Sequence, residues 1–147
     1  EIHERLVGSE MCIRDSYIVG GMKTQAGRHR MVPIHPKIFD LVKKNYDYAL
    51  ELGSHRLFND PDSPKGGMAI TYDKYAGRFD KVIAALKLRD DHRPHDPRMT
   101  FITMAKKAEV DEYTIKKLVG HRITDITEAA YTDRDLEWLR AELEKIP

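Results

Sequence analysis

The sequence predicts an α+β domain that is mainly α, with a small antiparallel sheet at its N-terminal side. Three observations lead there. Two short stretches that favour strand, residues 17–22 and 29–34, flank a polar turn with a glycine at 27, the pattern of a β-hairpin with a longish loop. From Pro36 onward, apolar residues recur at helical rather than alternating spacing. Prolines and glycines fall between these periodic stretches, where helices begin and stop.

Each element follows in order. The hairpin turn is Lys23-Thr24-Gln25-Ala26-Gly27-Arg28, and Pro33 puts the second strand at an edge or at its end. Pro36 suits the first turn of a helix. Ile38, Leu41, Val42, Ala49 and Leu52 then run at helical spacing, with Gly53 as a C-cap. Residues 54–69 hold Pro61, Pro64, Gly66 and Gly67 and read as a loop. A second helix over 71–87 places Tyr75, Phe79, Val82, Ile83 and Leu86 on one face. The charged stretch 89–94 is a linker, and a third helix covers 96–108. Val110 and Ile115 form a hydrophobic staple around an Asp111 N-cap, opening a fourth helix that Gly120 stops. A short helix spans 124–131. Thr132-Asp133-Arg134-Asp135 resembles a capping box opening a last helix with a Leu136, Leu139 and Leu143 stripe.

The chain has 147 residues, enough for one domain with its own core. Its net charge of +1 does not announce a nucleic-acid partner, so only the local distribution of charge can. The single cysteine, Cys12, excludes an internal disulfide framework. No stretch is long and apolar enough for a membrane span, and no signal pattern opens the chain; a cytoplasmic protein is the expectation. Residues 7–16 have neither helical nor strand period and read as translated sequencing-adapter read-through. Residues 1–16 are therefore expected to be a non-native leader, Cys12 included. The natural domain is expected to occupy 17–147, incomplete at its N-terminus.

Four short pieces carry the chemistry. In His95-Asp96-Pro97-Arg98, the i, i+3 spacing puts His95 and Arg98 on one face beside a helix N-terminus, a natural place for an anion. Arg98 brings a planar fork that can grip two phosphate oxygens. In Leu118-Val119-Gly120-His121, a glycine ends a helix and a histidine follows at once. Tyr131 follows ten residues later, and Lys23 lies in the hairpin turn with Arg28, His29 and Arg30 close by. Taken singly, these are a solvated pair, a common helix end, a core tyrosine and a surface lysine. Their order is what is specific.

That order, with its local wording, resembles the catalytic domain of the tyrosine recombinase (phage integrase) family. His95-Asp96-Pro97-Arg98-Met99-Thr100-Phe101 is similar to the family's His-Asp-Leu-Arg-His-Thr-Phe box, with Pro97 and Met99 as departures. Val110-Asp111 through Leu118-Val119-Gly120-His121 resembles its Val-Asp…Leu-Leu-Gly-His run. Lys23-Thr24 with Arg30-x-Val32-Pro33-Ile34 resembles its hairpin, and Tyr131-Thr132 falls where its Tyr-Thr or Tyr-Ser lies. The likeness covers about 17–147. It implies the fold of the DNA breaking-rejoining enzymes. It also implies site-specific recombination, integration or excision of a mobile element, through a 3′-phosphotyrosine intermediate.

In that reading Tyr131 is the nucleophile and Arg98 clamps the non-bridging phosphate oxygens. His121 adds a hydrogen bond, His95 is the base that relieves the phenol of its proton, and Lys23 is the acid for the leaving 5′-oxygen. DNA backbone contacts fall to Lys23, Arg28, Arg30 and Arg98, and weaken with salt. The implied partners are double-stranded DNA bearing a specific site and further copies of the chain, a tetramer in synapsis. No cofactor is expected: His92 and His95 lack further ligands at zinc spacing.

One family residue has no counterpart. The first catalytic arginine belongs well upstream of the hairpin lysine, whereas Arg5 and Arg14 lie too close to Lys23 and in the wrong context. This bears on whether the chain is active by itself. It keeps open a catalytically inactive DNA-binding or regulatory module of the same fold. A type IB topoisomerase-like enzyme is the second alternative. The acidic last helix is expected to set its leucine face on a protein surface, either its own domain or a neighbouring protomer.

Overall fold

A computed structural model of the chain describes residues 5–6, 17–20, 27–54, 56–64, 68–130 and 132–147. Three short strands, β1 (Arg5–Leu6), β2 (Tyr17–Gly20) and β3 (Arg30–Pro33), form an antiparallel sheet in that order. Six α-helices follow among the described residues: α1 (Phe39–Glu51), α2 (Tyr72–Ala85), α3 (Asp96–Lys107), α4 (Glu112–Val119), α5 (Ile126–Ala130) and α6 (Leu136–Leu143). The mainly helical α+β architecture read from the sequence is therefore the one observed.

The hairpin register runs from Tyr17↔Pro33 to Gly20↔Arg30. Pro33 closes a strand at the sheet's edge, where its missing N–H costs no ladder bond. Arg5 and Leu6, within the expected leader, pair with Val19 and Ile18 and add the third strand.

Pro36 opens a 3-10 turn, Pro36–Ile38, ahead of α1. His35 precedes it and links distant parts of the chain: its Nδ1 accepts from the Lys37 amide at 3.1 Å, and Nε2 lies 3.2 Å from the Ile146 carbonyl. Because Nδ1 accepts, Nε2 carries the proton and donates. Val42 and Ala49 of the expected stripe are buried in α1, joined by Phe39, whereas Ile38 and Leu41 are exposed. With Ile34 and Leu57, Phe39 and Val42 make the smaller of two apolar clusters. Gly53 ends this helix region at φ +61, as its type predicts.

The larger cluster joins Ala105 of α3, Val110, Ile115 and Leu118 around α4, and Leu139, Leu143 and Ile146 around α6. Val32 of β3 packs against it. The staple of Val110 and Ile115 closes as expected, and Asp111 caps α4 by accepting from the Thr114 amide at 2.7 Å. Leu139 and Leu143 sink into this core, so the α6 face is covered by its own domain.

Two expectations need correction. The N-cap of α6 is Asp135, which accepts from the Trp138 amide at 2.8 Å; the helix does not start from Thr132. Arg134 is buried, and its carbonyl accepts from Lys117 Nζ at 2.6 Å, so the chain turns helical only afterwards. Helix α2 is capped by Thr71 and has the predicted apolar period, but none of its residues is buried. Tyr75, Val82 and Leu86 face outward, while Phe79 and Ile83 line a cavity of about 790 Å³ shared with α3 and the end of the chain.

Candidate active site

The His-Asp-Pro-Arg piece opens α3, with Pro97 in the first turn. Asp96 folds back, accepting from the Arg93 amide at 3.1 Å and lying 3.2 Å from His92 Nδ1. These two contacts, the Arg93 amide first, hold its carboxyl below the usual range. His95 immediately precedes the helix and is exposed. Arg98, one turn in, is half-buried, and its amide donates to the His95 carbonyl at 3.2 Å.

The Gly-His piece closes α4. The Gly120 amide donates to the Lys117 carbonyl at 3.2 Å, and the His121 amide to the Lys116 carbonyl at 2.8 Å. This is the paired Schellman arrangement that a left-handed glycine permits, and Gly120 has φ +72. A Cβ here would lie 3.0 Å from both Arg30 Nη1 and the Gly27 Cα. Gly120 is thus required twice, for its backbone angle and for the approach of the β3 arginine. The motif therefore fixes the backbone of His121, whose side chain is exposed.

These two pieces meet. Arg98 Nη2 donates to the Val119 carbonyl at 2.5 Å, across 21 positions of sequence. One N–H of the guanidinium thereby anchors it to the last turn of α4, and a guanidinium has four more to offer a ligand. Arg30 approaches the same turn from the hairpin, with Nη1 3.4 Å from the Gly27 carbonyl. It is half-buried rather than displayed on the surface, whereas Arg28 in the turn is exposed. Lys23 and Tyr131 lie outside the described residues. Among the described residues, no group of three or more His, Cys, Asp or Glu side chains could hold a metal ion.

The other end of α4 carries a charged cluster for which no local pattern gives a signal. Arg134 is 5% exposed, with Nε 2.8 Å from Asp111 Oδ2 and Nη2 2.7 Å from Glu128 Oε2. Its guanidinium carbon lies 5.2 Å from the Tyr113 ring centre and 5.6 Å from that of Trp138. The Asp111 amide donates to Glu142 Oε2 of α6 at 2.7 Å. Burial works against charge on Asp111, but the hydrogen bonds from Arg134 and the Thr114 amide prevail and lower its pKa. Burial likewise opposes charge on Arg134, and its bonds to Asp111 and Glu128 prevail and raise its pKa.

A pH dependence follows for Asp111. A carboxyl with a lowered folded pKa stabilises the fold above its unfolded value, usually 3.8, and that contribution is lost as pH falls through the folded value. Asp111→Asn is expected to cost about 1–3 kcal/mol at neutral pH, because Arg134 loses a charged partner. The variant should also lose less stability than the wild type between pH 5 and 2. Urea titrations across that range check this; parallel pH profiles would remove Asp111 from the acid limb.

No family model, curated protein or solved structure matches this chain.

Proposed function

We propose that this chain is the catalytic domain of a site-specific DNA recombinase of the tyrosine type, which breaks and rejoins strands through Tyr131. The observation that carries the reading is the Arg98–Val119 hydrogen bond at 2.5 Å. Two motif pieces that are unremarkable alone, and far apart in sequence, come together with the phosphate-gripping group tied to the Gly-His turn. Arg30 beside Gly120 adds a second cation at that place.

In this reading a DNA phosphodiester sits against the half-buried fork of Arg98. The Tyr131 oxygen attacks phosphorus as its proton passes to His95. Negative charge develops on the non-bridging oxygens, where Arg98 and His121 donate to it. The P–O5′ bond breaks, Lys23 protonates the leaving oxygen, and a 3′-phosphotyrosine remains. The reverse attack, by a 5′-hydroxyl of another strand, rejoins the DNA. Because the phosphodiester is exchanged and not hydrolysed, no external energy source enters.

A pool of randomised duplexes with one 5′-bridging phosphorothiolate tests it. Sulfur leaves without an acid, and the thiol does not religate well, so adducts accumulate. The expected result is a protein–DNA adduct that survives denaturation and is enriched in one sequence class. Adducts with every sequence, together with relaxation of supercoiled plasmid, would favour the topoisomerase-like alternative. Salt-sensitive binding with no adduct would favour an inactive DNA-binding module.

A further inference from the structure

We infer that Arg134 and Glu128 are positioning residues that pin both flanks of Tyr131 to the start of α4. The inference rests on the reading of Tyr131 as nucleophile. Glu128 lies three residues before it and Arg134 three residues after. Their contact, Arg134 Nη2 to Glu128 Oε2 at 2.7 Å, joins positions six apart, a spacing that is not a neighbour pair on one helix. The ion pair therefore spans the segment that carries Tyr131.

The same guanidinium uses a different edge for Asp111, through Nε at 2.8 Å. Asp111 caps α4, and Lys117 of α4 donates to the Arg134 carbonyl at 2.6 Å. Helix α4 thus holds Arg134 twice, through its Asp111 N-cap and through Lys117 in its last turn. Its C-terminal end also holds Arg98, through Val119, and the His121 backbone, through the Gly120 turn. A single rigid helix of eight residues relates the nucleophile's segment to the phosphate clamp.

The geometry also says why this residue is an arginine. Nε and Nη2 address two carboxylates in fixed directions while the plane lies near two aromatic rings. A lysine ammonium offers a point charge and cannot reproduce that fork. Glu128 is the safer position to alter, since removing it leaves Arg134 paired with Asp111 and the core untouched.

The test compares wild-type chain with Glu128→Ala and with Glu128→Gln, which keeps an acceptor oxygen at the same reach. Two readouts are taken. Amide exchange of Glu128 and Ala129 is expected to quicken about tenfold in the alanine variant while Ile115 and Leu118 stay unchanged. The rate of adduct formation at saturating phosphorothiolate duplex is expected to fall about 10- to 100-fold, with DNA affinity within twofold. Glu128→Gln should recover most of both effects.

A rate within twofold of wild type in Glu128→Ala would overturn the inference. So would faster exchange spreading to Ile115 and Leu118, which would make the pair a general support of the fold. If the wild-type chain forms no adduct, the nucleophile reading fails by itself. The exchange data then decide whether the pair holds the segment, and unchanged exchange at Glu128 and Ala129 would end that claim too.

Discussion

Tyr131→Phe is expected to abolish covalent attachment to DNA, a loss on the order of 10³-fold or more, while leaving DNA binding nearly intact. The substitution removes one oxygen and keeps the ring, so it tests the hydroxyl alone. A phenol has an ordinary pKa of about 10 and needs a base and a nearby cation to become a nucleophile. Denaturing gels of the phosphorothiolate reaction give the result directly. An adduct of undiminished yield from the phenylalanine variant would mean that another residue attacks phosphorus, and the proposed roles of His95 and Lys23 would fall with it.

The second large effect concerns Arg98. Arg98→Ala should lower the adduct rate at saturating DNA by about 10²–10³-fold, the usual consequence of losing one preorganised donor to a developing oxyanion. Arg98→Lys should recover little of it, because an ammonium keeps the charge but not the planar grip. The Val119 carbonyl also loses its donor at 2.5 Å, and an unsatisfied carbonyl at a helix end costs about 1–3 kcal/mol where water cannot replace the bond. Thermal melting separates the two consequences. A slow reaction with a melting temperature within about 3 °C of wild type assigns the loss to the clamp. A large drop in melting temperature with proportionate loss of DNA binding assigns Arg98 to structure instead. An unchanged rate would remove it from the site.

Local chemistry determined much of this protein by itself. Gly120 stops α4 in the left-handed conformation, and Asp111 caps the same helix at its other end. Pro36 and Gly53 bracket the α1 region, and the hairpin strands pair around their polar turn. Each of these depends on a residue's own dihedral limits or on a hydrogen bond to a neighbour within a turn, so each can be read along the chain. The candidate residues were legible for the same reason, as short motifs at short spacing.

What the tertiary structure decided lies beyond that range. The period of α2 marks which face could be buried, but Tyr75, Val82 and Leu86 are exposed. In α1 contact with Ile34 and Leu57 buried Phe39 and Val42 and left Ile38 and Leu41 exposed. The start of α6 moved to Asp135 because Asp111, Glu128 and Lys117 hold Arg134 in a non-helical position. The Arg98–Val119 contact and the Arg134 cluster join residues about twenty positions apart. No periodicity encodes such a pairing: amphipathic spacing and capping act within a turn or two, whereas these contacts exist only once the packed core has brought α3 and α6 against α4.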